Sequence, residues 1–401
     1  MKIIKIITII AIIIFVSLSK KSLLPMGKEI DNIEVLKLVG LDYNKKDKEN
    51  KAILSFMMEK EEGGIGSQDQ SKKEYQEVMT YKAISFTEAV RNMQFYSDKD
   101  IAGSHVKYFL IGEETAKNNI DDALDIISKD QEVRMSGHIY LIKGGTSQSF
   151  LEEMVSSEYK VSEKLQSMEE KSSQKSIVNY LSFSDLLAKK LSDSSVYLVP
   201  ALEINASEKL TDVKGSEKEE DETLEKSFNF YGYGIMKDTK LVDYINGEEA
   251  IIYNMLINKS EGGNIDIENK KGEVLSFGLN DITTDYSFKF GKDKLKNINI
   301  MVNFRSNYEE VHTKEHIVYS DDINEYEKLQ EEKIKKQVEK LIAKSQKLGL
   351  DILGMGQKIK LKHPYKYMNI KDTFKEDYMT LDINVEVNAS IDRTYDMVKI
   401  N

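Results

Sequence analysis

The sequence predicts an α+β protein of two to three lobes, with mixed or antiparallel sheets, a long second-half helix packed on a sheet, and an N-terminal membrane segment. Three observations carry this. Up to about Leu210, strand-like and helix-like stretches alternate. Beyond Lys226 the pattern turns to short strands punctuated by turn residues. Near the end, Ile323–Leu348 carries the clearest helical stripe in the chain, and one helix beside a run of strands implies helix-on-sheet packing.

The chain opens with Lys2 and Lys5 ahead of an almost unbroken apolar run from Ile6 to Leu18. A short basic head before such a run is the layout of an export signal. As a helix the run spans about 20 Å at ~1.5 Å per residue, short of the ~30 Å hydrocarbon core. An uncleaved anchor, with Lys5, Lys20 and Lys21 reaching toward headgroups, fits this layout. So does a signal cleaved near Ser17–Ser19; a buried core helix is the bland alternative. Either of the first two sends everything after Lys20 across a membrane. Residues 1–24 are therefore read as signal or anchor with a tether.

Composition narrows the rest. Forty per cent apolar and 31% charged residues suit a globular body, and the net charge of −11 leaves no footprint for nucleic acid. The absence of cysteine excludes disulfides, thiolate zinc sites, a cysteine nucleophile and a cysteine-linked lipid. The chain must rely on its apolar core, which its length allows.

In order, Ile33–Tyr43 and Ala52–Glu59 read as strands around the turn-rich Asn44–Asn50. Glu61–Lys73 reads as a loop, and its glycines make no phosphate cradle because no helix opens directly after them. Tyr81–Phe95 reads as a helix, with Ser85 and Glu88 forming a capping box before Ala89, Val90 and Met93. Val106–Ile111 and Ile139–Lys143 follow as strands; Asn119–Ser128, Gln148–Tyr159 and Ser182–Ser192 follow as helices. Val196–Ile204 is a strand containing Pro200, which lacks a ladder donor and implies an edge or a strand end. These elements make an N-terminal α/β domain, 25–213. The charged stretch 214–226 reads as a linker or exposed loop. A strand-rich α+β domain, 227–401, then begins. Its expected strands are Phe228–Met236, Ile251–Ile257, Asn264–Glu268, Glu273–Leu279, Tyr286–Phe290 and Ile298–Phe304. Turns are expected at Asn246–Gly247, Glu261–Asn264 and Lys271–Gly272. In the long helix, Leu329, Ile334, Val338, Leu341, Ile342 and Leu348 form the apolar stripe, and Gly349 ends it in a left-handed conformation. Asp382–Val387 alternates as a closing strand.

Candidate chemistry is sparse. His312 and His316 match the H-x-x-E-H zinc-protease pattern, which needs both histidines one turn apart on a helix. Val311 before them and Ile317, Val318 and Tyr319 after them favour a strand, where two such histidines stand ~13 Å apart. His105 and His138 have no ligand-spaced neighbour, and His363–Pro364 reads as a turn. Asp130, Glu132 and Arg134 form a compact cluster at a helix-to-strand junction. Arg134 and the nearby Lys129 would hold both carboxylates ionised, which suits an ion-pair network better than acid–base work. No nucleotide fingerprint, phosphate-binding loop or nucleophile elbow is present. No cofactor or metal is expected.

Several segments, read in order, resemble the Ger(x)C family, the C subunits of spore nutrient-germinant receptors. They are Glu29–Ile30 with Val39–Asp42; Ile84–Met93; His105–Ala116; Asp130, Glu132 and Arg134; Ile139–Gly144; Tyr233–Val242; and Gln346 followed by Asp351–Gly356, which reads D-I-L-G-x-G. The family usually carries a lipidated cysteine with a tryptophan beside it, and spacing places that pair near Leu24 and Pro25. The departure strengthens the reading of an N-terminal helix as the tether. Lys129 stands where the family usually has arginine, and Tyr367 and Phe374 stand near usual tryptophan positions. The resemblance implies a non-enzymatic subunit on the extracytoplasmic side of the spore inner membrane. Its partners would be that membrane and two integral subunits of the receptor, the A and B types, with the germinant bound elsewhere than on this chain. Asp130, Glu132, Arg134, Asp351, Gly354 and Gly356 are then structural or interface candidates. The rival readings are an exported solute-binding protein and a tethered zinc hydrolase.

Overall fold

The computed structural model describes residues 33–49, 51–62, 73–97, 99–129, 133–155, 160–191, 195–207, 225–292, 294–311 and 322–392. The N-terminal apolar segment, Asp130, Glu132, His312 and His316 lie outside them. Among the described residues, no helix is long and apolar enough to cross a membrane.

The first half is built on an eight-stranded sheet, ordered β10-β9-β8-β7-β6-β2-β3-β4. Its members are β2 (Leu38–Tyr43), β3 (Ala52–Glu62), β4 (Lys73–Ala83), β6 (Tyr108–Gly112), β7 (His138–Ile142), β8 (Val196–Ser207), β9 (Glu225–Lys237) and β10 (Lys240–Asn246). β2, β6, β7 and β8 run parallel. Both faces are covered, which is why Tyr108–Gly112 and His138–Ile142 read as unbroken apolar runs. Alternation sorts the side chains. Phe109, Ile111, Ile139 and Leu141 face one core, packed by α1 (Phe86–Tyr96), α2 (Glu113–Asn119), α3 (Asp121–Lys129) and α6 (Phe183–Lys190). Tyr108, Leu110, Tyr140 and Ile142 face the other, packed by α4 (Ser147–Met154) and α5 (Val161–Lys175). A short parallel pair, β1 (Ile33–Val35) with β5 (Asp100–Ala102), sits beside the start of β2.

β8 and β9 pair across residues 208–224, so this sheet takes strands from both sides of the charged stretch. Pro200 lies in an interior strand, not on an edge. It is tolerated because the ladder to β7 starts only at Ala201. Beside it, Leu181 and Ser182 occupy the first part of the β7 flank.

The second half is a four-stranded sheet, β11 (Gly263–Glu268), β12 (Val274–Phe290), β13 (Leu295–Val311) and β14 (Asp382–Ile391). The first three form an antiparallel meander, whereas β14 joins parallel to β13. The expected strands at Glu273–Leu279 and Tyr286–Phe290 are one strand with bulges. α8 (Ile323–Leu348) lies on one face and buries Ile334, Val338, Leu341 and Ile342. It also completes the edge of β14, whose Ala389 and Ile391 N–H groups donate to Glu331 and Glu327 at 3.1 and 3.0 Å. Gly349 ends the helix at φ 63°.

Three further expectations are corrected. Of Ile251–Ile257, all but the C-cap Ile257 lies in a helix, α7 (Gly247–Leu256). Asn246 is its N-cap, in a reciprocal box with Glu249, rather than a hairpin turn. Ala250 and Ile252–Leu256 are all buried, and a helix buried all round has no 3.6-residue stripe to betray it. Second, Tyr81–Ala83 finishes β4, so α1 starts only at Phe86, after Ser85 as cap. Third, His363–Pro364 joins two helices, α9 (Met355–Lys362) and α10 (Pro364–Ile370), with Pro364 in the first helical position. α11 (Phe374–Thr380) follows, then β14.

Candidate functional site

Of the residues quoted for the family resemblance, Asp42, Tyr233, Asp351, Gly354 and Gly356 sit in three polar knots, each joining separate elements. In the first, Asp42 at the end of β2 is 3% exposed. It accepts from Ser147 N at 3.0 Å, Ser147 Oγ at 2.7 Å and Gln148 N at 2.9 Å. The two N–H groups are orphan donors of the first turn of α4, so one carboxylate ties β2 to a helix 105 residues away. Burial pushes the Asp42 carboxyl up, while these hydrogen bonds pull it down. The glycines around it make room. A Cβ at Gly112 would stand 2.0 Å from Asp42 Oδ1, and one at Gly40 would stand 2.5 Å from Ser147 Oγ.

The second knot is the D-I-L-G-x-G segment. Asp351 Oδ1 and Oδ2 accept from Met355 N and Gly356 N, each at 2.8 Å, at the start of α9. Gly354 has φ +65°, the left-handed region where a side chain is strained. A Cβ at Gly356 would meet the Phe374 ring at 3.1 Å. Burial raises the Asp351 carboxyl against the pull of the Gly356 and Met355 N–H groups. Burial likewise lowers the amine of Lys358, which donates to Leu353 O at 3.2 Å. Gln346, in the last turns of α8, donates to Tyr378 O at 3.0 Å and Leu381 O at 2.8 Å. Tyr367 and Phe374 are both buried beside this knot.

The third knot surrounds Tyr233 in the β9 hairpin. Its hydroxyl accepts from Asn179 N at 2.6 Å and donates to Asn254 Oδ1 at 2.9 Å. Asn254 Nδ2 in turn donates to Ser176 O at 2.7 Å. Burial pushes the Tyr233 phenol up to about 12. This knot joins the end of α5, the first sheet and α7.

A fourth cluster is one that sequence reasoning missed. Glu169 on α5, 8% exposed, receives Tyr140 Oη at 2.5 Å and Tyr108 Oη at 3.3 Å. His138 Nδ1 lies 2.5 Å from it, and Tyr180 stacks on the His138 ring at 4.3 Å. The signal was two tyrosines on an otherwise apolar face: Tyr108 pairs in register with His138 and Leu110 with Tyr140 on parallel strands, so the two phenols are diagonal neighbours on one face, and buried phenols need an acceptor.

Of the expected cluster Asp130, Glu132 and Arg134, only Arg134 is described. It is exposed, and its carbonyl accepts from Gly137 N at 3.0 Å in the turn before β7. Chemically, Asp42, Asp351 and Glu169 are each engaged by fixed donors inside the fold, which is the arrangement of a strut. Among the described residues no group of three or more His, Asp or Glu is placed to hold a metal ion.

Comparison with known proteins agrees with this geometry. Residues 27–204 match the family model described as spore germination protein N-terminal domain. Residues 231–395 match the model described as spore germination B3/GerAC like, C-terminal. Comparison with the curated proteins finds no match. Among solved structures, the crystal structure of the GerBC protein matches with a TM-score of 0.56 at 16% identity, covering 88% of this chain and 97% of that one. The two family matches stand in tandem and between them span nearly all of the sequence: the chain belongs to the GerAC-like, or Ger(x)C, family of spore germination proteins.

Proposed function

We propose that this chain is the C subunit of a spore nutrient-germinant receptor, a non-enzymatic body held at the extracytoplasmic side of the spore inner membrane beside two integral subunits. The observation that carries the reading is the tandem match to both domains of the family over residues 27–204 and 231–395. The N-terminal basic and apolar segment supports a tether that needs no lipidated cysteine, since the chain has none. The polar knots support a bracing role, because each joins elements distant in sequence. In such an assembly the subunit would add interface energy that favours one global state of the receptor over another.

The exported solute-binding reading needs a cleft between two hinged lobes. Here a continuous core instead runs through Val178, Tyr233, Ile245, Leu256, Phe277 and Leu341, from the first sheet through α7 to α8. A thermal-shift screen of the purified full chain with amino acids and sugars is therefore expected to show no stabilisation. A ligand at a hundred times its dissociation constant would add about 2.7 kcal/mol. A reproducible rise in melting temperature with one nutrient would overturn the accessory-subunit reading and place the germinant on this chain.

A further inference from the structure

One end of the molecule has a surface unlike the rest. The chain is acidic, at −11 overall, yet residues 355–371 contain five lysines and no Asp or Glu. Residues 288–296, the tip of the β12–β13 hairpin, contain four lysines against the single Asp293. The fold brings these two segments together. The His363 ring packs edge-on against Phe290 at 5.3 Å and Phe288 at 6.1 Å, and Lys362 donates to Tyr286 O at 2.9 Å. Lys289, Lys292, Lys294 and Lys296 from the hairpin and Lys360 and Lys366 from α9 and α10 all lie on the surface.

Within this basic border stand large apolar side chains that the fold does not cover. Leu361 is 74% exposed, Tyr365 85% and Met368 67%. Isolated exposed apolar residues are ordinary. Three on one helix–helix corner, ringed by lysines, make the pattern of an interfacial membrane contact, in which apolar groups enter the headgroup region and lysines meet anionic lipid.

The location fits. β2, β6, β7 and β8 all start at one end of the first sheet. The described chain comes in at that end, through Ile33 beside the start of β2. α9 to α11 abut the same end, because Asp351, Tyr367 and Lys371 line a cleft with Val196 at the start of β8. β2 and β8 are three strand spacings apart, about 14 Å. Residues 22–32, between the apolar segment and β1, span up to about 35–40 Å when extended. A second exposed pair, Phe95 and Tyr96, ends α1 next to β5 at this end too.

We propose that this end of the body, led by Leu361, Tyr365 and Met368 within their lysine border, rests on an anionic lipid surface. The contact would fix the orientation of the subunit on the membrane, which an attachment through the N-terminal segment alone does not do. Only the direction of the tether draws on the membrane-anchored reading above; the charge and exposure of the patch stand without it.

The chain contains no tryptophan, so Tyr365→Trp gives a single tryptophan at an exposed position, whose emission is read under excitation that tyrosine does not absorb. The full-length variant would be reconstituted into phosphatidylglycerol/phosphatidylcholine vesicles carrying doxyl-labelled acyl chains, and into labelled phosphatidylcholine vesicles. A blue-shifted emission quenched in the first, not in the second, and released by about 0.5 M salt is expected, because salt screens surface charge. Ile84→Trp, at the opposite end of the sheet and 59% exposed, should stay unquenched in both. The triple substitution Lys289→Glu, Lys292→Glu, Lys366→Glu, added to Tyr365→Trp, should abolish the quenching with the melting temperature unchanged. An unquenched Tyr365→Trp on phosphatidylglycerol, or equal quenching of Ile84→Trp, would overturn the proposal. So would a blue shift seen only when an integral partner subunit is present, which would make the patch a protein-docking surface. None of these readouts depends on co-purification with receptor subunits, so the proposal and the receptor reading can fail separately.

Discussion

Replacing Gly232 with alanine is expected to destabilise the protein by about 3 kcal/mol or more, through strain and overpacking together. Gly232 has φ +138°, a region that side chains rarely adopt, and a Cβ there would stand 2.2 Å from the carbonyl oxygen of Ile245. The residue sits at the bulge where the β8–β9 register shifts between Ala201 and Leu202, so neither the backbone nor the neighbouring β10 can yield without breaking a ladder. For a chain of 401 residues, with an unfolding entropy of ~2.1 cal/mol/K per residue, such a loss corresponds to a fall of roughly 3–4 °C in melting temperature. Gly247→Ala is the matched control. Its Cβ would meet nothing nearer than Tyr231 O at 3.9 Å, and it should change stability by no more than about 0.5–1 kcal/mol. Equal effects from the two substitutions in thermal unfolding would show that the bulge is not the constrained joint described above.

Asp42→Ala is expected to cost about 2–3 kcal/mol at neutral pH, because buried donors left unsatisfied each cost about 1–3 kcal/mol and relief of a buried charge offsets part of the sum. The donors are Ser147 N, Ser147 Oγ and Gln148 N, all at the first turn of α4. The pH dependence has a definite sign. Burial holds the Asp42 carboxyl above its ordinary value of 3.8, so the folded state keeps the proton more tightly than the unfolded chain. The stabilisation from that proton is fully present below about pH 4 and is lost as pH rises through the raised value. The stability gap between wild type and Asp42→Ala should therefore be widest near pH 4 and narrow toward neutrality. Urea unfolding at several pH values measures this. A gap that widens with pH would mean that hydrogen bonding, not burial, governs the carboxyl.

The sequence disclosed the elements whose pattern is set by one exposed face. Ile323–Leu348 shows its stripe because one side meets the sheet and the other meets water, and its glycine stop is local chemistry. The parallel strands were legible as apolar runs for the opposite reason, since both faces are covered. α7 was misread because burial on all sides erases helical periodicity, leaving Ile251 and Ile252 to suggest a strand. α5 escaped notice for lack of apolar content: Val161, Leu165 and Met168 carry its inner face amid charged and polar residues. The site was legible only as motifs. Asp351, Gly354 and Gly356 are adjacent in sequence, so their knot shows as a pattern. Glu169 meets His138 and Tyr140 only through the packing of α5 on the sheet, and no spacing announces that. The basic patch is likewise a product of topology, since His363 joins two lysine-rich segments some seventy residues apart.

The central claim is that this chain works as a tethered subunit of a larger membrane receptor. The most direct measurement is affinity purification of a C-terminally tagged full chain from detergent-solubilised inner membranes of dormant spores. Mass spectrometry would then identify its partners and its mature N-terminus. Recovery with two integral membrane subunits, and with Met1–Lys21 intact, is the result predicted. Recovery alone in the soluble fraction, cleaved near Ser19, would contradict it.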